Sequence, residues 1–305
     1  MERPGPRTHR LGCASPGPIP LPEPPRAVKH RLGACSWSLQ VESLSELCER
    51  LHQVGVDGVQ LALDPVARGA WSVPDIQREF EAAGLELRSG MMGTIGEDYT
   101  TLETIRETGG VRPTRHWEAN LAHARACADA AHELGLDLVS FHAGFLPHEA
   151  GDPERGLLVG RLQQVADAFA ERGVRVAFET GQETAETLLG VLDEIGRDSV
   201  GVNFDPANML LYAMGEPVEA LRLLAPRVFQ VHIKDAVQTE VPGTWGEEVP
   251  VGTGQVDWAA FFEVLNGAGL GVDLMIEREA GSARVEDMRT ARALLEGLGV
   301  VEVSA

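Results

Sequence analysis

From Arg31 onward, short apolar runs alternate with longer stretches in which apolar positions recur among Ala, Glu and Arg at helical spacing. The short runs have the length and the β-branched content of buried strands, and the longer stretches are typical of amphipathic helices. Several of the longer stretches end in Gly just past the last apolar position, which is the usual stop of a helix. The predicted strands begin at Leu32, Gly58, Leu85, Asp137, Arg175, Val200, Val228 and Asp273.

This alternation of strand and helix predicts a single α/β domain, a (β/α)8 TIM barrel over residues 31–305. The alternative is a doubly wound open sheet, which usually carries a Gly-rich phosphate loop after its first strand. No such loop follows the run "LGACSWSL". The connections after the third and seventh strands are long, and long βα loops lie over the active face of a barrel.

Residues 1–30 differ from the rest of the chain in composition. They hold eight of the 18 prolines and lack the apolar core of a signal peptide. We therefore predict a disordered, Pro-rich extension that does not contribute to the barrel.

Charge and cysteine content exclude several classes of function. The formal net charge is −20, which disfavours nucleic acid as a partner because an acidic surface repels the phosphate backbone. No apolar run reaches the roughly 18 residues that cross a bilayer, so no membrane partner is expected. The four cysteines form no C-x-x-C pair, which is typical of a cytoplasmic protein with reduced thiols.

Polar residues recur at the carboxyl ends of the last four predicted strands. Because barrel strands point alternate residues inward, four of these side chains should meet at the barrel mouth. They are Glu179, Asp205, His232 and Glu277. Three carboxylates so close together would repel one another without a cation. Their donor set favours one divalent metal ion, Mn²⁺ first and then Mg²⁺, Co²⁺ or Zn²⁺, and disfavours a structural zinc site.

Three further polar residues are predicted to bind substrate at the same mouth. His142 and Lys234 share the inward phase of their strands, and Asn208 follows Asp205 by three positions. Each has an ordinary structural alternative: a buried core histidine, a salt bridge with Asp235, or a helix cap.

The positions of two tryptophans and one arginine also carry predictions. Trp37 and Trp245 are candidates for stacking on a sugar ring, with core packing as the alternative. Arg278 alternates with Glu277 and should point toward the helices, where an ion pair is expected.

Five motifs resemble the sugar isomerase/epimerase family that has a xylose-isomerase-like barrel. They are "FETGQE", "GVNFDPANM", "VHIKDA", "PVGTGQVDW" and "MIERE". The resemblance covers roughly residues 31–300 and implies a metal quartet at Glu179, Asp205, His232 and Glu277. In the ketose 3-epimerase branch, the two glutamates are also the acid–base pair.

The chain departs from the ketose 3-epimerase branch at two positions. Asn208 stands where that branch usually has His, and Gln238 stands where it has Arg. These departures bear on the substrate and not on the metal.

Two functions fit these residues. The first is a metal-dependent sugar isomerase or epimerase, in which Glu179 and Glu277 transfer a proton through a metal-bound enediolate. The second is a metal-dependent lyase or dehydratase that acts on a keto-inositol or a 3-keto-glycoside. Hydrolysis of abasic DNA is disfavoured by the acidic charge and the few histidines at strand ends.

The expected binding partner is a small sugar or sugar derivative, and the resemblance implies a homodimer or homotetramer.

Overall fold

The computed structural model describes Met1 and residues 29–301. The predicted Pro-rich extension therefore lies outside the described residues, apart from Met1, Lys29 and His30. Its predicted disorder stays a prediction.

Eight parallel strands close into a barrel, which confirms the predicted (β/α)8 architecture. Around the barrel the order is β1, β10, β7, β6, β5, β4, β3 and β2, so sequential barrel strands are neighbours throughout. The barrel strands are β1 (Leu32–Cys35), β2 (Gly58–Ala62), β3 (Glu86–Met91), β4 (Leu138–Phe141), β5 (Arg175–Glu179), β6 (Val200–Phe204), β7 (Val228–Ile233) and β10 (Asp273–Ile276).

The structure corrects two details of the sequence analysis. The run "LGACSWSL" is a strand only as far as Cys35, after which Ser36–Leu39 forms a 3₁₀ helix. The Ser36 hydroxyl accepts a hydrogen bond from the backbone N–H of Ala62, which ties this turn to the end of β2. The second detail is a small antiparallel sheet of β8 (Asp235–Val237) and β9 (Glu247–Val249) inside the seventh connection.

The helices surround the barrel and follow ordinary capping chemistry. Ser43, Ser72 and Thr184 each cap a helix with a side-chain oxygen, and Gly55 and Gly196 end helices in the left-handed conformation. No helix in the described part of the chain is long and apolar enough for a bilayer span. The helices are α1 (Leu44–Val54), α2 (Asp64–Ala67), α3 (Val73–Ala83), α4 (Leu102–Thr108), α5 (Trp117–Leu134), α6 (Pro153–Ala170), α7 (Ala185–Ile195), α8 (Pro206–Leu211), α9 (Pro217–Leu224), α10 (Trp258–Gly267) and α11 (Arg284–Gly297).

One extended apolar core holds the strands and helices together. Its largest fully buried side chains include Phe141, Phe178 and Phe204 on adjacent strands and Phe261 on α10. Each buried side chain of this size contributes about 1.5–3 kcal/mol relative to exposure. The strand ends, which carry the candidate site, are therefore fixed by a tightly packed frame.

The long connection after β7 is held by the buried carboxylate of Asp235. Its Oδ2 accepts hydrogen bonds from the backbone N–H groups of Gly252 and Gly254 and from the Trp258 indole, at 2.9, 3.2 and 3.1 Å. A Cβ at Gly254 would overlap the Asp235 carboxylate, so only glycine allows this approach. The connection is thereby fixed as it passes over the barrel mouth.

Candidate metal centre and active site

The structure brings the four predicted metal ligands together at the barrel mouth. Glu179 ends β5, Asp205 follows β6, His232 lies in β7 and Glu277 follows β10. All four are almost completely buried, and one ligand atom from each lies within 4.8 Å of the others. Alternation along the strands explains this convergence, because each side chain takes the inward position at its strand end.

His232 is oriented by a glutamine from the opposite side of the barrel. Gln60 on β2 donates through Nε2 to the Ser140 hydroxyl and the Gly90 carbonyl, so its Oε1 is left to face His232 Nε2 at 2.7 Å. That oxygen can only accept, so Nε2 carries the ring proton. The amide nitrogen of Asn203 lies 2.9 Å from the same Nε2 but, as a donor, cannot form a second hydrogen bond with it.

The other ring nitrogen of His232 points into the carboxylates. Its Nδ1 lies 3.2 Å from Glu277 Oε2, 3.5 Å from Glu179 Oε1 and 3.7 Å from Asp205 Oδ2. His232 Nδ1 is buried without a hydrogen-bond partner, and the charged neighbour of Asp205 Oδ2 is the Lys234 ammonium at 3.1 Å. A neutral ring would aim the Nδ1 lone pair at three carboxylates, which is repulsive unless positive charge lies between them, either a proton on Nδ1 or a metal ion in its place. These residues therefore fit a divalent cation.

Asp205 divides its two oxygens between structure and site. Oδ1 accepts the backbone N–H of Asn208 at 2.9 Å and caps α8, which leaves Oδ2 directed toward His232. Because Asp205 is the cap, the structural alternative for Asn208 as a capping residue does not hold.

Asn208 contacts Glu179 instead. Its Nδ2 donates to Glu179 Oε1 at 2.8 Å. Gly181, with φ +132°, makes room for this contact, since a Cβ there would overlap the Cβ of Asn208. His142, predicted to bind substrate, lies on the other side of the same carboxylate, with Nε2 3.8 Å from Oε1.

Glu277 is held by an aromatic donor and by a lysine. Its Oε1 accepts from Trp37 Nε1 at 2.7 Å, and its Oε2 lies 2.7 Å from Lys234 Nζ. Trp37 therefore contacts Glu277 through its indole nitrogen, and its predicted stacking on a sugar ring stays a prediction.

Lys234 lies among carboxylates and is almost fully buried. Its Nζ is 2.7 Å from Glu277 Oε2, 3.1 Å from Asp205 Oδ2 and 3.1 Å from Glu279 Oε2. Asp235, its suggested salt-bridge partner, is occupied in holding the long connection. The predicted contact between Lys234 and substrate stays a prediction.

For Glu277, Asp205 and His232, neighbouring charges shift the pKa more than burial does. Burial alone would raise the carboxyl pKa values, but Lys234 and then His232 lower the pKa of Glu277 to about 2. Burial likewise opposes ionisation of Asp205, and Lys234 holds its pKa below the usual value. Burial would lower the pKa of His232, yet the surrounding anionic groups raise it well above the ordinary value. The cluster is thus strongly attractive to positive charge.

A cavity of about 250 Å³ adjoins this cluster. Two residues predicted to bind substrate, His142 and Asn208, line it, and both lie next to Glu179. Trp245 reaches it from the long connection, so the structure favours a place in the cavity wall over burial in the main core. The lining residues are Tyr99, His142, Asn208, Leu211, Tyr212, Trp245 and Glu279. A larger surface hollow, about 730 Å³, lies between α9 and α10 and contains none of the residues of the cluster.

A family model described as a xylose isomerase-like TIM barrel matches residues 48–298. The chain belongs to the xylose isomerase-like TIM barrel family. The solved structure of a xylose isomerase domain protein from Planctomyces limnophilus is 31% identical, has a TM-score of 0.80 and aligns over 89% of this chain and 97% of that chain.

Two other solved members of this fold are below 25% identity and support the fold alone. An L-ribulose 3-epimerase is 19% identical with a TM-score of 0.68, over 89% of this chain and 94% of that chain. A xylose isomerase-like TIM barrel protein from Mycobacterium smegmatis, in complex with magnesium, is 17% identical with a TM-score of 0.65, over 90% and 97% of the two chains.

Curated relatives extend the family toward dehydratases. A 3-dehydroshikimate dehydratase from Neurospora crassa is 23% identical over 88% of this chain and 81% of that protein. A 3-dehydroshikimate dehydratase from Pseudomonas aeruginosa is 26% identical over 64% of this chain, and the uncharacterized protein YihM from Escherichia coli is 27% identical over 45%. The chain spans only 29% of the Pseudomonas protein and 42% of YihM.

Sequence reasoning missed several residues of this xylose isomerase-like site. Gln60 is in the same inward phase as Gly58 on β2, so the alternation that found the metal quartet could also have found it. Arg278, in contrast, forms ion pairs as predicted: its Nη1 lies 2.8 Å from Glu248 Oε1 and its Nε lies 2.9 Å from Asp287 Oδ2. Tyr99 and Tyr212 carry no such signal, because they lie in a loop and at the end of a short helix.

Proposed function

We propose that this protein is a divalent-metal-dependent sugar isomerase or epimerase that works by proton transfer. The observation that carries the proposal is the buried convergence of His232 Nδ1, which has no hydrogen-bond partner, with carboxylate oxygens of Glu179, Asp205 and Glu277 within 4.8 Å of one another. The proposed ligands are Glu179, Asp205, His232 and Glu277. Their oxygen-rich set favours Mn²⁺, with Mg²⁺, Co²⁺ or Zn²⁺ as alternatives.

The two glutamates are the proposed proton carriers. A bound divalent cation would supply Lewis acidity, which makes a C–H bond beside a carbonyl more acidic. Glu179 and Glu277 approach the cluster from β5 and β10, with β6 and β7 between them. One carboxylate removes the proton from one face of the substrate and the other returns a proton, to the opposite face or to the neighbouring carbon.

Three polar groups would orient the substrate and the glutamates. His142 and Asn208 line the cavity and are proposed to bind substrate hydroxyl groups. Asn208 also holds Glu179, and its amide fixes the direction of the carboxylate. Lys234 lies beside Glu277 and Asp205, and we propose that its ammonium stabilises negative charge that develops on a substrate bound at these residues.

A lyase or dehydratase acting on a keto-inositol or 3-keto-glycoside is the second candidate. It needs the same base and the same acidified C–H bond, followed by loss of a β-leaving group. Similarity to 3-dehydroshikimate dehydratase along most of the Neurospora protein favours keeping this candidate. A cytoplasmic location and a homodimer or homotetramer accompany both candidates as predictions.

The test uses Glu179→Gln and Glu277→Gln, which keep the side-chain shape and one coordinating oxygen. The Mn²⁺-loaded variants and wild type are incubated with free ketoses, keto-inositols and 3-keto-glycosides in deuterated water. We expect wild type to incorporate deuterium without a change in carbon skeleton, and each variant to lose about 10²- to 10⁴-fold in exchange rate. A product lighter by a fragment would favour the lyase.

Metal content and substrate binding, measured by elemental analysis and calorimetry, serve as controls for the same variants. A fully metallated variant that exchanges at the wild-type rate would show that its glutamate is a ligand only. A wild-type protein that takes up no divalent cation would contradict the proposal as a whole.

A further inference from the structure

The cavity above the cluster has an aromatic wall. Tyr212 and Trp245 meet edge to face with ring centroids 4.9 Å apart, and Tyr99 stands over His142 on the opposite side at 6.4 Å. Phe145 packs behind Tyr212 at 5.7 Å, within a small apolar cluster separate from the main core. Tyr99, Tyr212 and Trp245 all line the cavity, and the packing of Phe145 against Tyr212 supports this aromatic wall.

The residues that line this cavity supply no permanent positive charge. None of them is Lys or Arg, and the one charged side chain among them is Glu279. Beneath the cavity, Lys234 is the single ammonium, and it is already paired with Asp205, Glu277 and Glu279. The site has four carboxylates and the Lys234 ammonium, so a bound divalent cation would still leave one excess negative charge. The carboxylates are those of Glu179, Asp205, Glu277 and Glu279.

Glu279 is fixed at the rim of the cavity. Its side chain is 53% exposed and lies 3.1 Å from Lys234 Nζ. The backbone N–H of Glu279 donates to Glu248 Oε1 at 2.9 Å, so β9 holds this segment in place. Glu279 lines the cavity, so a ligand bound there lies near this carboxylate.

We propose that the cavity selects an uncharged sugar derivative, one that presents a C–H face to the aromatic wall and carries no phosphate or carboxylate group at its outer end. This inference rests on the proposed function, since the inner end of the ligand is taken to lie at the metal cluster. An anionic outer end would lie beside Glu279 with no lining cation to pair with it, and this arrangement is electrostatically unfavourable.

The experiment compares matched pairs of ligands on the Mn²⁺-loaded protein. One pair is D-fructose and D-fructose 6-phosphate; the other is a methyl 3-keto-glucoside and the corresponding 3-keto-glucuronide. Calorimetry measures binding, and deuterium incorporation measures proton exchange. We expect the neutral member of at least one pair to bind at least tenfold more tightly than its anionic partner.

Two variants locate the cause of this preference. Glu279→Gln removes the rim charge at constant shape, and it should reduce the preference for the neutral ligand about tenfold, which corresponds to one modest charge–charge interaction. Trp245→Ala should weaken binding of the neutral ligand while leaving metal content unchanged. Glu247→Gln is the matched control: Glu247 is an exposed glutamate on β9 that does not line the cavity, and its substitution should leave the preference unaltered.

The results separate this inference from the proposed function. Equal or tighter binding of the anionic members would overturn the inference, and proton exchange on those ligands would leave the proposed function standing. A neutral preference in binding without any exchange would support the inference and count against isomerase chemistry. Failure of every neutral ligand to bind would overturn the inference as well.

Discussion

The barrel strands divide into two contiguous halves that differ in charge at the mouth. Strands β5, β6, β7 and β10 end at or next to charged residues or candidate metal ligands, and β1 to β4 carry buried uncharged polar groups near their mouths. The first set is Glu179, Asp205, His232, Lys234 and Glu277; the second is Cys35, Gln60, Ser89 and Ser140.

The difference shows that the two halves of the barrel have different roles in the site. The charged half supplies the candidate ligands and proton carriers. The neutral half orients them across the barrel: Gln60 fixes the ring proton of His232, and Trp37, just after β1, holds Glu277. A metal site of this kind depends on outer hydrogen bonds as well as on its ligands.

Removing the one buried ammonium from the charged half should have the largest effect on stability. In the presence of a chelator, we expect Lys234→Met to lower the free energy of unfolding by about 3–5 kcal/mol, because buried carboxylates lose their partner. Urea unfolding followed by circular dichroism measures this. Lys29→Met, at an exposed lysine, should change little. A stable Lys234→Met protein would show that its carboxylates take up protons at little cost.

Within the charged half, Glu183 contrasts with Glu277. Both are buried after the end of a strand, but burial raises the pKa of Glu183 to about 8, whereas Lys234 and His232 outweigh burial and lower that of Glu277 to about 2. Folded Glu183 therefore keeps its proton while the unfolded side chain ionises above about pH 4.5. This carboxyl group makes the protein less stable as pH rises from about 4.5 to 8.

Glu183→Gln should remove that pH-dependent loss. We expect the stability of the variant relative to wild type to increase by about 3 kcal/mol between pH 5 and pH 7.5, from about 1.4 kcal/mol for each pKa unit. Urea unfolding at both pH values checks this, with the exposed Glu186→Gln as control. A difference that does not vary with pH would mean that Glu183 titrates as an ordinary carboxyl group.

The neutral half gives the smallest of the three effects. Gln60→Leu removes the acceptor for His232 Nε2 and leaves every ligand in place. We expect metal affinity to fall about 10- to 100-fold, the usual cost of losing an orienting partner. Titration calorimetry measures the metal affinity of Gln60→Leu, with Gln53→Leu on the exposed face of α1 as the control. Unchanged affinity would show that packing alone orients the imidazole.

Much of the fold and the quartet could be predicted because strand alternation is a strong local signal. A carboxylate such as Asp205 at the end of an apolar run stands out from its surroundings. The same rule extends to Gln60, although a neutral amide is a weaker signal than a charge. Three-residue strands such as β8 carry no detectable period.

The cavity wall could not be predicted for a different reason. Tyr99, Tyr212 and Trp245 are distant in sequence and meet only after the barrel closes. Loop residues have no periodicity that indicates which way they face. Likewise, the contact between Trp37 and Glu277 joins positions 240 residues apart, and no local pattern predicts it.

The hydrogen bonds that Asp235 accepts from the connection after β7 have a consequence for how this protein can change in evolution. The carboxylate binds backbone amides of the connection, including those of Gly252 and Gly254, and backbone amides are present whatever side chains the intervening residues carry. Residues near Trp245 can therefore be exchanged without loss of the path of the loop. The side chains of the connection can thus change and give new ligand preferences, while the four candidate metal ligands at the strand ends stay the same.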